Sequence, residues 1–248
     1  MPDEQKVALV TGSALNIGRA IALALASDGF RIMTTARQSE TDARETARLV
    51  REAGPDADTF MADISDPARA AALIEATVRR FGRLDVLVNN ASIRRQTKFA
   101  DMTPEEWREI MGTTIDGAFY CAHAAAPHII AAGGGTIINL GGISAHQGTV
   151  GRVHAVTAKA AMLGLTRALA KELAPHNITV NTVVPGSIET VRGFAAGGNS
   201  GRATLPDSPL GRRGKPEEIA AMVRFLCSAE ARYITAQSIH VNGGAFVT

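Results

Sequence analysis

The stretch "VTGSALNIGRA" (10–20) constrains this chain more than any other. An apolar run, "KVALVT" (6–11), leads into it. An apolar-periodic helix, "IGRAIALALASDG" (17–29), leads out and closes on Gly29. A glycine turn between a strand and a helix can aim backbone N–H groups and the helix N-terminus at a pyrophosphate. Such a turn alone is a weak signal, and the strand before it with the helix behind it strengthens it.

The same alternation runs down the chain. Strands are expected at "FRIMTTA" (30–36), "DTFMAD" (58–63), "LDVLVNNA" (84–91), "GTIINL" (135–140), "ITVNTVV" (178–184) and "SIHVNG" (238–243). Helical patterns fill 40–54, 66–82, a long region from Thr103 to about Ala132, 151–174 and 216–228. Asp66 followed by Pro67, and "TPEE" at 103–106, read as helix starts. Strands that alternate with helices pair in parallel through right-handed crossovers, and continuously apolar strands belong to a sheet covered on both faces. The expectation is an α/β fold: a doubly wound parallel sheet of about seven strands with helices on both faces. At 248 residues the whole chain, 1–248, reads as a single domain. The Gly/Ser-rich segment 186–214, with "GFAAGGNSGR", is the one long irregular connection and is expected to be a mobile substrate loop.

Composition narrows the function classes. Lys and Arg total 26 against 24 Asp and Glu, which gives no electrostatic case for nucleic acid or membrane. No apolar run reaches the ~18 residues of a membrane helix, and no signal peptide is read at the N-terminus. Cys121 and Cys227 lack metal-ligand spacing, and His123 and His128 lack a third ligand, so no metal site is expected. A cytoplasmic protein with reduced thiols is the expectation.

"TGSALNIG" (11–18), "NNAS" (89–92), Lys159 on its long helix, "NTVVPGSIET" (181–190) and "ITAQSIHVNGG" (234–244) follow one another as in the short-chain dehydrogenase/reductase family. The resemblance spans essentially the whole chain and looks closest to the branch of 3-oxoacyl-carrier-protein reductases. It implies a Rossmann-like fold, NAD(P) binding and a homotetramer. Carried over residue by residue, Gly12 and Gly18 match two glycines of the family turn, Asn16 replaces the middle glycine, and Ile17 follows it in the cofactor-binding turn. Asn tolerates left-handed backbone better than most residues, so the turn can survive. Asp63 and Ile64 fall at the adenine contact, Asn90 and Ala91 along the cofactor, and Pro185, Gly186, Ile188 and Thr190 in the segment that holds the nicotinamide carboxamide. Strand two ends in Ala36 and Arg37, with no carboxylate to bind a ribose 2′-OH. Arg37 can pair with a 2′-phosphate, which favours NADP(H) over NAD(H), against a plain solvated arginine.

The pattern breaks at the catalytic end. In the family a tyrosine passes a proton to or from the substrate oxygen, a lysine lowers that tyrosine's pKa and holds the nicotinamide ribose of the cofactor, a serine binds the same oxygen, and an asparagine holds a water of the proton relay. Those positions map to Ala155, four residues before Lys159, to Gly142, thirteen before Ala155, and to Thr114. Only Lys159 survives; the two tyrosines of the chain, Tyr120 and Tyr233, lie in other segments. His154 can titrate near neutrality but points ~100° off the tyrosine's face. Ser144, two residues past the serine position, offers a hydroxyl. Arg94 and Arg95 after "NNAS", with His146 and Arg152, hint at a small anionic substrate, although each alone also reads as a solvated surface group.

Three functions remain open from the sequence. The first is an NADP(H)-dependent oxidoreductase with Lys159 and a substitute donor such as His154, Ser144 or water. The second is a non-catalytic dinucleotide-binding protein. The third is non-redox chemistry in a pocket of His146, His154 and Lys159.

Overall fold

The computed structural model describes residues 5–191 and 208–247. Seven strands form one sheet: β1 (Val7–Val10), β2 (Arg31–Thr34), β3 (Ala57–Thr59), β4 (Val86–Asn89), β5 (Gly135–Leu140), β6 (Ile178–Pro185) and β7 (Ser238–Val241). Their order is β3-β2-β1-β4-β5-β6-β7, and every neighbouring pair is parallel. The α/β doubly wound sheet expected from the alternation is therefore the fold of the chain. The "GFAAGGNSGR" stretch lies outside the described residues.

The central strands β1 and β4 are buried along their whole length because both faces of the sheet are covered. Ala8 and Val10 of β1 join a cluster with Ile21 and Leu25 of α1 (Asn16–Ser27) and Val223 of α8 (Pro216–Leu226). Val7 and Leu9 point the other way, as strand alternation requires. They join Leu73 and Ile74 of α3 (Pro67–Phe81), Ile129 of α5 (Gly117–Ala131) and Leu173 of α7 (Val153–Leu173). Each fully buried Leu, Ile or Val contributes roughly 1.5–3 kcal/mol.

The helix start at Asp66 forms as its sequence implies. Its carboxylate accepts the N–H groups of Ala68 (2.8 Å) and Arg69 (3.3 Å), Pro67 takes the first helical position, and Gly82 closes the helix in a left-handed conformation. Thr103 caps α4 (Pro104–Met111) in the same way.

Two local features depart from the sequence expectation. The single helix expected from Thr103 to about Ala132 is two helices joined by a π-helical turn, Gly112–Asp116. Gly112 and Gly117 bracket that turn, where glycine weakens regular α-helix. Gly117 is also needed for packing, since a Cβ there would sit 2.8 Å from Ile64 Cγ1. A short helix, α6 (Ser144–Gln147), stands where no helix is read from the sequence, because four residues are too few to show a period.

A buried polar ladder fixes α7 on the sheet. Asn89 donates to Asn139 (2.9 Å), Asn139 donates to Thr166 (2.8 Å), and the Thr166 and Thr182 hydroxyls share a hydrogen bond (2.7 Å). This chain of bonds runs through β4, β5, α7 and β6, so the rotation of α7 about its axis is set by directional contacts. Among the described residues no helix is long and apolar enough to cross a membrane, and no three His, Cys, Asp or Glu side chains form a metal-binding group.

Candidate active site

Strand order reverses between β1 and β4, and open α/β sheets hold ligands beyond the strand C-terminal ends at such a point. A cavity of about 550 Å³ opens there. It is lined by Gly12, Asn16, Ile17, Gly18, Arg37, Asp63, Ile64, Asn90, Ala91 and Thr190, so ten of the residues singled out in the sequence surround one space. Pro185 and Gly186 lie at the end of β6 away from it, and Ile188 lines a second hollow of about 250 Å³.

The glycine turn is built for close approach. Gly12 and Asn16 both take left-handed backbone, at φ +64° and +54°, so asparagine does adopt the conformation of the glycine it replaces. Gly18 has no room for a side chain: a Cβ would lie 2.3 Å from the Gly12 carbonyl oxygen. Asn90 Nδ2 donates to the carbonyls of Thr11 (2.8 Å) and Gly12 (3.0 Å), while Thr11 Oγ1 accepts the N–H groups of Asn90 (3.0 Å) and Ala91 (3.1 Å). The "NNAS" segment and the turn are thus one bonded unit.

The residues present fit a dinucleotide. Helix α1 begins without a side-chain cap and without an acidic residue in its first turn, leaving its N–H groups to a phosphate. The hydroxyls of Thr35 and Thr113 are buried without a protein partner, and both residues line the cavity. Buried polar groups are ordinarily satisfied, and a polar ligand would satisfy these two.

Several participants are not visible as motifs. Asn16 reaches across the cleft mouth: its Nδ2 donates to the Val191 carbonyl (2.9 Å) and its Oδ1 accepts the Val191 N–H (2.8 Å). A glycine at this position could not make that two-way tie. Arg37 lies 3.4 Å from Glu109 and 3.9 Å from Asp63, and Arg95 pairs with the same Glu109 at 2.9 Å. Arg94, Arg95 and Arg152 all line the cavity. Thr113, the neighbour of Thr114, faces the cavity, whereas Thr114 is buried in the π-helical turn and does not line it.

Lys159 and Ser144 are not among the residues lining that cavity; Lys159 is half-buried on α7, and its Nζ donates to the carbonyl of Leu140, the last residue of β5. Burial, with the charge of Arg94, brings its pKa down to about 8. A Cβ built on Gly142 would have Ser144 Oγ at 3.7 Å and Lys159 Cγ at 3.9 Å as neighbours. Gly142, Ser144 and Lys159 therefore surround a common space, and Ser144 Oγ makes no hydrogen bond to another described residue.

His154 is not part of that space. It is wholly buried, and its Nε2 lies 2.9 Å from Glu106 Oε1 on α4. Its Nδ1 accepts the Ala155 N–H (2.6 Å), which assigns the proton to Nε2 and makes it the donor to Glu106. The Thr97 hydroxyl bonds the same carboxylate and, with the His154 bond and the charge of Arg95, holds it below its ordinary pKa. His154 follows from its place on α7, roughly 140° around the helix from Lys159. His146 packs instead on His240 and Phe246, with ring centroids 4.7 and 5.0 Å away. The structure does not bring His146, His154 and Lys159 together. Removing the imidazole by His154→Ala leaves Glu106 without its buried partner. We expect a loss of about 1.5–3 kcal/mol, seen as a Tm lower by roughly 3–12 °C in a thermal melt.

The comparisons with known proteins agree with this geometry. A family model described as Enoyl-(Acyl carrier protein) reductase matches residues 12–245. The 3-oxoacyl-[acyl-carrier-protein] reductase of Staphylococcus aureus is 38% identical over 242 residues, 98% of each chain. The chain belongs to the short-chain dehydrogenase/reductase family. The Escherichia coli 3-oxoacyl-[acyl-carrier-protein] reductase is 38% identical over 244 residues, again 98% of each chain. Among solved structures, acetoin dehydrogenase from Salmonella typhimurium superposes with a TM-score of 0.89 at 42% identity, covering 97% of this chain and 95% of that one. Acetoin dehydrogenase from Enterobacter cloacae gives 0.89 at 41%, covering 98% and 96%. Membership places the chain among the NAD(P)-dependent oxidoreductases of the short-chain type.

Proposed function

We propose that this chain is an NADP(H)-dependent oxidoreductase acting on a small carbonyl or alcohol that carries an anionic group, with an active site that lacks the family's tyrosine, serine and asparagine. One observation carries the reading. Lys159 is held on the Leu140 carbonyl at the C-terminal end of β5, with the unengaged Ser144 hydroxyl near the same Gly142, on the side of the sheet where the cavity of Gly12, Asn16, Gly18 and Asn90 opens. Bound in that cleft, a nicotinamide dinucleotide supplies or accepts a hydride. The chain's own residues do the rest. Gly12, Asn16, Ile17 and Gly18 present the turn and the α1 N-terminus to the phosphates. Asp63 and Ile64 flank the adenine, and Asn90 and Ala91 hold the turn in place. Thr190 is suited to border the nicotinamide end, while Pro185, Gly186 and Ile188 of the same segment stand off the cavity wall. Ser144 is suited to donate a hydrogen bond to the substrate oxygen in place of a residue-142 hydroxyl. Arg94 and Arg152, on the cavity wall, favour a negatively charged substrate.

Preference for NADP(H) rests on Arg37, an exposed guanidinium at the end of β2 where no carboxylate follows the strand. Its partners Asp63 and Glu109 are partly exposed, and a 2′-phosphate competes with them for it. Arg37→Ala is expected to weaken NADPH binding about 10- to 100-fold while NADH changes only a few-fold. Paired fluorescence titrations check this.

The reading is tested by following NADPH absorbance at 340 nm with acetoacetate, an acetoacetyl thioester, butane-2,3-dione and acetoin as probes. Consumption of NADPH with a reduced product supports it. NADPH binding with no turnover of any probe favours the second reading, a dinucleotide-binding protein without redox activity, which the residues at 114, 142 and 155 support. We further propose a cytoplasmic homotetramer. The half-exposed Phe119 on α5 and Phe225 on α8 are apolar surfaces suited to subunit contact.

A further inference from the structure

We propose that Lys159 is itself the proton donor, its ammonium reaching the substrate oxygen through the space that Ala155 leaves open beside it. This rests on the oxidoreductase reading above. The other titratable groups of the neighbourhood are committed elsewhere. His154 faces Glu106, Glu106 is bonded to Thr97 and His154, and the His146 ring packs on His240 and Phe246. A serine hydroxyl such as Ser144 is too weak an acid to give up a proton unaided.

Lys159 has the position and the freedom for the task. It stands one turn after Ala155 on the same side of α7. That side is held toward the sheet by Thr166, seven residues further on, through its bonds to Asn139 and Thr182. Ala155 carries a methyl group there in place of a tyrosine ring and is only half-buried. Among the described residues Nζ makes a single hydrogen bond, to the Leu140 carbonyl, so two of its three donors remain for other partners. The groups that face it are that carbonyl from β5, Ser144 from α6 and the Arg94 charge from the loop after β4, and no described carboxylate pairs with it. Its charge is therefore uncompensated. An ammonium in that setting gives up a proton near neutral pH, as its pKa of about 8 reflects.

In the reductive direction the balance is simple. The carbonyl carbon gains the hydride supplied by the reduced nicotinamide, and the C=O π pair moves onto oxygen. That oxygen takes a proton from Lys159 Nζ. The substrate is reduced, the nicotinamide is oxidised, and the neutral amine is reprotonated from water.

The test compares wild type with Lys159→Arg and Lys159→Met, using NADPH with acetoacetate and butane-2,3-dione. Arginine keeps the charge and the hydrogen bonds but does not release a proton. Lys159→Arg is expected to hold NADPH within about 5-fold of wild type by fluorescence titration and to lose at least ~100-fold in kcat. The wild-type reduction rate is expected to fall as pH rises through about 8, because only the protonated amine donates. Lys159→Met, which fills the lysine's volume with no proton to give, is expected to lose at least ~100-fold in kcat as well. Independently of turnover, the Lys159 amine of the 15N-lysine-labelled wild-type protein, assigned by its absence in the variants, is expected to titrate near 8. A Lys159→Arg rate within 10-fold of wild type, a pH profile flat through 8 or an amine that titrates at an ordinary lysine value overturns the proposal while leaving the oxidoreductase reading intact. Failure of wild type to turn over any probe overturns both.

Discussion

Gly18→Ala is expected to weaken NADPH binding by more than about 100-fold and to destabilise the protein by about 1–3 kcal/mol. The added methyl would lie 2.3 Å from the Gly12 carbonyl oxygen, 2.9 Å from its carbon and 2.7 Å from Asn90 Nδ2. Two of those atoms are backbone, so no rotamer change relieves the clash. The turn must move away from α1 or Asn90 must release it, and either movement displaces the N–H groups that face the phosphates. Binding and stability should therefore fall together. Gly164→Ala on α7 is the control, since nothing lies within 4 Å of its would-be Cβ. It should leave binding unchanged and raise stability slightly through helix propensity. Fluorescence titration with NADPH and a thermal melt read both quantities.

The second large effect is a gain. Combining Thr114→Asn, Gly142→Ser and Ala155→Tyr is expected to raise kcat/KM for simple ketone probes by roughly 10²–10⁴-fold, the contribution of a positioned general acid. The site has room for at least part of the change. A Cβ at 142 meets its nearest neighbours at 3.7 and 3.9 Å, which is ordinary contact. Ala155 is half-buried on α7, and Lys159 is already in place one turn on. Thr114 is the tightest of the three positions, at 2% exposure inside the π-helical turn, so the double change at 142 and 155 should be measured beside the triple. An unchanged rate in a folded, NADPH-binding variant would mean that the substrate does not seat over Lys159 as proposed.

Much of the fold is legible in the chain because the signals are local and repeated. Buried parallel strands must be apolar on both faces, and helices that cover them must be amphipathic, so the alternation shows in the letters. The joint at Gly112–Asp116 is not legible in the same way, because a π turn keeps helical periodicity on either side of it. The cleft is readable from its turn, since Gly18 leaves no room for a Cβ and Gly12 sits in left-handed backbone close against Ala91. Its closing contacts are not. The tie between Asn16 and Val191 joins residues 175 positions apart, and no local pattern announces it. The direction of His154 is another such case. Its neighbour in sequence is Ala155, but its partner in space is Glu106, 48 residues away. Which side of α7 faces the substrate depends on the ladder from Asn139 to Thr182, and that is a property of the packed sheet.

The central claim is that the chain keeps a working NADP(H) site although its proton-transfer residues have changed. The most direct test is a titration of the purified protein with NADPH and with NADH, followed by nicotinamide fluorescence. The account predicts saturable NADPH binding in the micromolar range, at least about 10-fold tighter than NADH. No saturable binding of either nucleotide would contradict it.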